Sequence, residues 1–182
     1  MTANRNRVRI IGGKWRSRLL KFPPAAQLRP TPDRVRETLF NWLGQRLDGL
    51  ACVDLFAGSG ALAFEALSRG AARAVMVETD RESAQALREN AKSLEASGVE
   101  IVQRDALAYL AERGEQFDIA FVDAPYASDL AARAMERLAP RLKPGARVYV
   151  ESAQPLAVGP PWTALREDRA GAVRYALYEL TP

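Results

Sequence analysis

Residues 53–66 read "VDLFAGSGALAFEA", and this stretch decides the fold. An apolar strand ends at Asp54, a loop of small residues follows Phe56, and an apolar helix begins at Gly60. Gly58 and Gly60 let the backbone approach a ligand closely, and the amino end of a helix attracts negative charge. Many α/β proteins have a glycine turn here for packing alone, so the loop by itself is weak evidence for a ligand site.

The alternation of strand and helix continues along the chain. Strand-like runs are "ACVDLF", "ARAVMVE", "VEIVQ", "FDIAFV" and "ARVYVE", and helix-like runs lie at 60–69, 81–97, 106–113 and 128–139. Such alternation predicts parallel βαβ units in an α/β sheet covered on both faces. Near the end, "WTALRED" and "VRYALYEL" predict a closing antiparallel hairpin.

The segment before this unit is different in character. "RVRIIGGKWRSRLLKF" predicts a β-hairpin around Gly12 and Gly13. A Pro-rich connector follows, and "TPDRVRETLFNWLGQRL" predicts a helix with Thr31 as N-cap and Pro32 in its first position. We predict a hairpin arm with its connector at 1–30 and a domain at 31–182 that folds together with the arm.

Composition excludes several kinds of chemistry. The 182 residues suffice for one domain, and they contain one cysteine, Cys52, and no histidine. Cys/His zinc sites and catalysis by Ser-His-Asp or Cys-His are therefore excluded, and we expect no metal. A single thiol fits a reducing cytoplasm, and neither a secretory signal nor a membrane span is expected.

Positive charge is concentrated in the arm. Residues 1–30 hold eight basic side chains and no acidic one, whereas the rest of the chain holds 18 basic against 22 acidic side chains. Apolar residues are interleaved with these bases, which is unusual for a disordered tail. We therefore predict an ordered arm that contacts a polyanion, most simply a nucleic acid.

Acidic residues follow several predicted strands at the edge where α/β sheets bind ligands. Glu78, 18 residues after Gly60, is placed to accept hydrogen bonds from ribose hydroxyls. Asp105 can accept from an adenine amino group or cap a helix, and the two roles are compatible. Together they predict an adenosine pocket, for which a nicotinamide dinucleotide and S-adenosylmethionine are the two candidates. The position of Asp54 before Gly58, and the motif described next, favour S-adenosylmethionine.

Residues 122–126, "VDAPY", resemble the (D/N)-P-P-(Y/F/W) motif of amino-group N-methyltransferases. An exocyclic base amine is a poor nucleophile because its lone pair is delocalised. Acceptors at the Asp123 carboxylate and the carbonyl of Ala124 can hold both N–H groups, so that the nitrogen becomes pyramidal. Tyr126 can stack on the unstacked base. Ala124 replaces the first proline of the motif, but Pro125 still keeps residue 124 out of the helical region.

The choice of Asp at position 123 favours guanine. The Watson–Crick edge of guanine presents two adjacent donors, N1–H and N2–H, and a carboxylate accepts from both. Adenine presents an acceptor at N1, toward which an ionised Asp cannot donate.

The whole chain resembles the bacterial RsmD family, S-adenosylmethionine-dependent methyltransferases that act on guanine N2 in small-subunit (16S) ribosomal RNA. The resemblance rests on "RIIGGKWRSRLLKFP", "LRPTPDRVRETLFNWL", "VDLFAGSGALAFEALSRGA", "VETDR" and "VDAPY", in this order. It covers roughly residues 7–150, and it departs from the family pattern at Ala124 and Pro32. It implies a Rossmann-like seven-stranded methyltransferase sheet, a cytoplasmic setting and a ribosomal substrate. We expect the protein to be a monomer.

The resemblance also implies roles for individual residues. The implied cofactor-binding residues are Thr31, Arg34, Asp54, Phe56, Gly58, Gly60, Glu78, Asp105 and Ala106. The implied catalytic residues are Asp123, Ala124, Pro125 and Tyr126. The implied RNA-binding residues, which charge also favours, are Arg9, Gly12, Gly13, Lys14, Arg16 and Arg29. For Arg29, a structural ion pair with Glu37 is an alternative.

Three alternatives stay open at this point. Methylation of adenine N6 or of a protein glutamine uses related motifs, although these mostly begin with Asn. A nicotinamide oxidoreductase would need a proton donor that the sequence does not suggest. A non-catalytic RNA-binding or assembly protein that only holds S-adenosylmethionine is the third.

Overall fold

The computed structural model describes residues 6–24, 30–112, 114–126 and 128–181. Over these residues the chain forms nine strands: β1 Arg7–Arg9, β2 Leu19–Lys21, β3 Ala51–Asp54, β4 Arg73–Glu78, β5 Val99–Gln103, β6 Phe117–Val122, β7 Leu142–Ser152, β8 Trp162–Ala170 and β9 Val173–Leu180. The α-helices are α1 Asp33–Leu43, α2 Ala61–Ser68, α3 Arg81–Ser93, α4 Ala106–Ala111 and α5 Leu130–Leu138. None of these helices has the length and apolar character that crossing a membrane requires.

Seven strands form one sheet in the order β5-β4-β3-β6-β7-β9-β8. Strands β3 to β7 are parallel, and β9 pairs antiparallel with both β7 and β8. The predicted Rossmann-like sheet and its closing antiparallel hairpin are thus confirmed. The strand order reverses between β3 and β6, and ligands of such sheets bind beyond the carboxyl ends of the strands at that point.

Two apolar clusters hold the helices against the sheet. Side chains of α1, α2 and α3 pack in one cluster with Cys52 and Phe121, and side chains of α4 and α5 pack in the other with Val53 and Val122. Consecutive strand residues point to opposite faces, so each strand contributes to both clusters. Cys52 is buried, as the apolar run around it indicates.

The arm is an ordered part of this core. Strands β1 and β2 pair antiparallel as predicted, although their connection spans 10–18 and contains a 3₁₀ turn at Gly13–Trp15. Ile10 and Leu20 are fully buried in the same cluster as α1 and α2. This packing supports the prediction that the arm and the remainder fold as one unit.

The glycine pair of the arm lies directly on α2. The backbone N–H of Gly12 donates to Glu65 Oε1 at 2.7 Å, and that of Trp15 donates to Ser68 Oγ at 2.9 Å. Gly13 has a φ of +75°, and a Cβ there would lie 1.8 Å from the carbonyl oxygen of Ser68. Only glycine tolerates both the dihedral angle and the contact, so this pair has a structural role in docking the arm.

A buried arginine connects the arm to α1. The Arg36 side chain is fully buried and donates to the carbonyl oxygens of Arg9 and Thr31 at 2.8 and 3.1 Å, and to Asp33 Oδ1 at 2.6 Å. Its Nη1 also lies 3.5 Å from Glu65 Oε2. Arg36 therefore fixes the place where the connector enters α1.

The predicted start of α1 needs one correction. Pro32 flanks the helix, which begins at Asp33, and the backbone N–H of Arg36 donates to the carbonyl of Pro32 at 3.0 Å. Thr31 therefore does not serve as the N-cap. Its buried hydroxyl instead reaches carboxylates at the ends of the strands.

Candidate active site

Three acids lie at the carboxyl ends of three adjacent strands. Asp54 ends β3, Asp123 follows β6, and Glu151 is near the end of β7. The parallel registers pair Asp54 with Phe121 and Val122 with Val150, so the three carboxylates succeed one another across the sheet. Thr31, Asp54, Phe56, Gly58 and Asp123 line one cavity at this edge.

No base in the described ranges compensates the charge of these acids. None of the ion pairs among the described residues includes Asp54, Asp123 or Glu151. Asp54 is 2% exposed, and its Oδ1 has no hydrogen-bond partner in the described part of the chain. A buried carboxylate oxygen without a donor is rare in native proteins and points to a missing ligand group.

Burial changes the protonation of these acids. Desolvation is the main cause that raises the pKa of Asp54 to about 7; the charges of Glu78 and Glu151 add to it, while backbone N–H groups oppose it. Desolvation also raises the pKa of Asp123 well above its usual range, and the neighbouring charges of Glu151 and Asp54 act in the same direction. A cationic ligand would lower both pKa values and stabilise the ionised acids.

Glu78 connects the glycine loop to the next strand. Its Oε2 accepts from the backbone N–H of Gly58 at 2.8 Å, and its Oε1 accepts from the N–H of Asp80 at 2.8 Å. Each carboxylate oxygen keeps a second lone pair, and the side chain is only half buried. Glu78 can therefore accept further hydrogen bonds from a ligand without losing the protein contacts that position it.

Asp105 has the helix-capping role that was one of its two predicted roles. Its Oδ1 accepts from the backbone N–H of Ala108 at 2.9 Å at the start of α4. Asp105 is exposed, so its other oxygen is accessible to a ligand. The next residue, Ala106, is buried. The N–H of Arg104 donates to the carbonyl of Glu78 at 3.0 Å, which ties the ends of β4 and β5 together.

The glycine loop forms the wall of the cavity between β3 and α2. Gly58 and Gly60 have φ values of +52° and +77°, in the left-handed region that favours glycine. A Cβ at Gly60 would lie 2.6 Å from Leu87, so Gly60 is needed for packing and does not line the cavity. Phe56 is half buried and lines the cavity.

The "DAPY" loop leaves β6 beside this cavity. Ala124, which replaces the motif's first proline, is 4% exposed and packs in the core. The carbonyl of Pro125 accepts from the N–H of Ser128 at 3.1 Å, which closes a turn. The Tyr126 ring is 46% exposed, while its hydroxyl donates to Glu151 Oε2 at 2.8 Å.

Glu151 was not singled out from the sequence. It is 2% exposed and accepts from three hydroxyl groups, those of Thr31 at 2.9 Å, Tyr126 at 2.8 Å and Tyr149 at 2.8 Å. Thr31 also lies 3.3 Å from Asp123 Oδ2. The rule that identified the other acids, a carboxylate at the end of a predicted strand, applies to "ARVYVE" as well and could have found it.

Arg34 lies away from this cavity. It is exposed on α1. The pKa of the Asp168 carboxyl is lowered mainly by hydrogen bonds from the backbone N–H of Arg169 and the Tyr175 hydroxyl, and the charge of Arg34 makes a smaller contribution in the same direction. Among the described residues Arg34 makes no ion pair within 4 Å and does not line the cavity. The structure thus brings Thr31, but not Arg34, to the acids at the strand ends.

The basic residues of the arm occupy several positions. Arg9 is exposed and pairs with Asp33 at 2.8 Å. Lys14 lies with its Nζ 4.4 Å from the Trp15 ring centroid, and Lys14 and Arg16 are exposed along one groove between the arm, α1 and α2. Arg29, with its proposed ion pair to Glu37, lies outside the described residues.

This arrangement fits S-adenosylmethionine. The uncompensated carboxylates and the unpartnered Oδ1 of Asp54 suit a molecule with cationic sulfonium and ammonium groups, and Glu78 and Asp105 offer acceptors for its ribose and adenine. Among the described residues no group of acidic or cysteine side chains has the arrangement of a metal site.

Comparison with known proteins identifies close relatives. The chain matches the family model described as Conserved hypothetical protein 95 over residues 8–179. It is 45% identical to ribosomal RNA small subunit methyltransferase D of Escherichia coli, with 94% of this chain and 89% of that protein covered. It is 42% identical to the protein of the same name from Haemophilus influenzae, with 94% and 93% covered.

A solved structure agrees with the sequence relatives. An Escherichia coli protein described as a methyltransferase superposes with a TM-score of 0.89 at 44% identity, covering 96% of this chain and 98% of that one. The similarity extends over the arm, the glycine loop and the closing hairpin alike.

Proposed function

This chain belongs to the Conserved hypothetical protein 95 family, the RsmD family, and from that premise we propose its reaction and its site. The protein is an S-adenosylmethionine-dependent methyltransferase that transfers a methyl group to the exocyclic N2 of a guanine in 16S ribosomal RNA. The observation that carries this proposal is the row of uncompensated acids at the strand ends, with the "DAPY" loop beside it.

The cofactor would be held by residues of four strand ends. Asp54 and Asp123 supply negative charge near its cationic groups, Glu78 accepts from the ribose, and Asp105 accepts from the adenine amino group. Phe56, Gly58 and Ala106 form the apolar and backbone surface around these acceptors. When bound, S-adenosylmethionine supplies a methyl group on a positively charged sulfur.

The chain's own residues prepare the amine. The Asp123 carboxylate and the backbone carbonyl of Ala124 accept the two N–H groups and direct the nitrogen lone pair toward the methyl carbon. Tyr126 offers an exposed ring on which the unstacked base can stack, and its hydrogen bond to Glu151 holds that ring in place. Alignment of this kind contributes most of the rate in such transfers.

The carboxylate at 123 supports guanine as the target. An ionised Asp accepts from the adjacent N1–H and N2–H donors of guanine, and it has no donor for the N1 acceptor of adenine. The adenine alternative is therefore not favoured. A non-catalytic role is not favoured either, because the relatives that share nearly the whole chain are named methyltransferases.

The arm is the proposed RNA-contacting surface. Lys14 and Arg16 carry exposed charge along one groove, Arg9 is exposed elsewhere on the arm, and Gly12 and Gly13 fix the loop that presents the first two. Arg29 is proposed from charge and resemblance. We propose that the protein acts as a monomer on 16S ribosomal RNA or the small subunit.

The proposal is tested by labelled methyl transfer to ribosomal RNA followed by nucleoside analysis. We expect N2-methylguanosine from the wild type and none from Asp123→Ala, which should still bind the cofactor because its other contacts remain. The control is Asp129→Ala, since Asp129 is exposed just beyond the same loop and its one ion pair within the described residues is with Arg133, at 3.4 Å. Label in N6-methyladenosine, or full turnover by Asp123→Ala, would refute the assignment.

A further inference from the structure

The Thr31 hydroxyl lies between two carboxylates. Its Oγ1 is 2.9 Å from Glu151 Oε1 and 3.3 Å from Asp123 Oδ2. A hydroxyl has one proton and can donate to only one of these oxygens. The other contact needs a proton of its own, because two oxygens without a hydrogen between them repel each other.

Among the residues that the structure describes, no other neighbour supplies that proton. The hydroxyls of Tyr126 and Tyr149 are already committed to Glu151 at 2.8 Å each. Desolvation and the charge of Glu151 raise the pKa of both phenols, so both stay protonated as donors. Counting hydrogens therefore leaves one additional proton between Asp123 and Glu151, carried by one carboxylate or the other.

We propose that Asp123, Thr31 and Glu151 form a proton relay in which the two carboxylates share one proton through the Thr31 hydroxyl. This inference rests on the proposed function, in which Asp123 binds the guanine amine. When N1–H and N2–H of guanine approach Asp123, the shared proton moves through Thr31 to Glu151. Asp123 is then ionised and accepts both donors.

The relay also accounts for the proton that the reaction releases. Formation of the nitrogen–carbon bond is matched by cleavage of the carbon–sulfur bond, whose electron pair stays on sulfur, so the nitrogen becomes positively charged. One N–H proton then passes from nitrogen to the ionised Asp123, leaving a neutral methylated amine. Glu151 is thus a positioning residue that acts through Thr31 and Asp123.

The surroundings keep the shared proton in place. The groups that face the pair are Asp54 from β3 and the two phenols, Tyr126 from the loop and Tyr149 from β7. In the described ranges no Lys or Arg forms an ion pair with either relay carboxylate. Losing the proton would place two buried negative charges side by side beside Asp54, which is costly.

The shared proton is tested on the protein without cofactor or RNA. Carbon-13 NMR of labelled Asp and Glu carboxyls follows Asp123 and Glu151 as the pH is raised. We expect the two signals to titrate together, above the usual carboxyl range, as a coupled pair. In Thr31→Val the signals should titrate separately, and Thr31→Ser should restore the coupling. Independent titration of both acids in the ordinary range in the wild type would overturn the relay.

A second measurement separates a relay from simple packing. In wild type the Asp123 signal should follow both steps of the coupled pair, and the upper step is raised because loss of the last proton leaves two neighbouring charges. Glu151→Gln removes one of these charges, so Asp123 should titrate in a single step, below the upper step of the wild type. The control Glu136→Gln, at an exposed position on α5, should leave both steps in place. An Asp123 signal that titrates in Glu151→Gln as it does in wild type would show that Glu151 is only structural.

The carboxyl titration and the assay for N2-methylguanosine together distinguish failure of the relay from failure of the proposed function. If the carboxyls titrate as a coupled pair but no N2-methylguanosine is formed, the relay stands and the assigned reaction is wrong. If N2-methylguanosine is formed but the carboxyls titrate independently, the reaction stands and the relay is wrong.

Discussion

Two regions of this molecule bury carboxylates in opposite ways. Glu65 on α2 is fully buried. Its oxygens accept from Arg69 Nε at 2.8 Å and from the backbone N–H groups of Ile11 and Gly12 at 2.8 and 2.7 Å. The Arg36 guanidinium lies 3.5 Å away. Glu151 on β7 is 2% exposed, and its partners in the described part of the chain are all neutral hydroxyls.

The difference separates stability from function. Around Glu65 every charge has a partner, and the result is that the arm is fixed to α2 and α1. Around Asp54, Asp123 and Glu151 the described ranges offer no base to the negative charge and leave one carboxylate oxygen without a donor. A protein that buries charge without compensation loses stability, so such a site persists where a ligand supplies what is missing.

The sharpest test of the comparison replaces a carboxylate by an amide in each region. Glu65→Gln removes the counter-charge of the largely buried Arg69 guanidinium and leaves Arg36 with Asp33 alone, and we expect a loss of about 3 kcal/mol in the free energy of unfolding. Glu151→Gln removes an uncompensated charge and keeps a hydrogen-bonding group, so we expect a change within about 1 kcal/mol. Urea unfolding at neutral pH measures both, and equal losses would remove the distinction between the regions.

The pH dependence of stability tests the uncompensated side directly. The pKa of Asp54 is about 7 in the folded protein and about 3.9 in the unfolded chain, so the folded state binds more protons between these values. Its contribution to stability is complete below about pH 4 and is lost as the pH rises through 7. Through this group the free energy of unfolding should decline by about 1.4 kcal/mol per pH unit, roughly 2 to 3 kcal/mol between pH 5 and 7. Asp54→Asn should remove this decline.

Urea unfolding of wild type and Asp54→Asn across this pH range gives the answer. The pKa of Asp123 is also raised in the folded protein, so Asp54→Asn should keep part of the decline in stability with pH. Asp129→Asn is the control, because that carboxylate is exposed. Parallel stability curves for wild type and Asp54→Asn would contradict the buried, uncompensated state of Asp54.

The sequence predicted the uncompensated region better than the compensated one. The acids Asp54, Glu78, Asp105 and Asp123 were found because each follows an apolar strand, and the carboxyl ends of parallel strands meet at one edge. That rule depends only on local pattern and on the general geometry of the fold. Glu151 follows the same rule, and what could not be seen from sequence is its contact with Thr31, 120 residues away.

The compensated region depends on contacts that local pattern does not contain. Arg36 in "DRVRE" has the appearance of an exposed helix position, and its burial follows from the docking of an arm 27 residues earlier in the chain. Glu65 stands in the apolar helix "ALAFEALS", which indicates a buried charge but not its partners. The local pattern likewise predicted Thr31 as an N-cap, whereas its hydroxyl contacts the carboxylates of Asp123 and Glu151 at the strand ends.

The smallest effect is expected from substituting the basic side chains of the arm that do not help to dock the arm on α2. Lys14 and Arg16 are exposed, whereas the contacts that hold the arm come from Glu65 and Ser68. The double variant Lys14→Ala with Arg16→Ala should leave stability within about 0.5 kcal/mol, as for exposed substitutions generally. If both side chains contact phosphates, the slope of log affinity against log salt for ribosomal RNA should become shallower by about 0.7 to 0.9 per lost contact.

Replacing Arg133 and Arg137 on α5, which are exposed and remote from the arm in sequence, provides the control. An unchanged salt slope with unchanged stability would mean that the ordered arm serves the core alone, and the compensated region would then have no part in holding RNA.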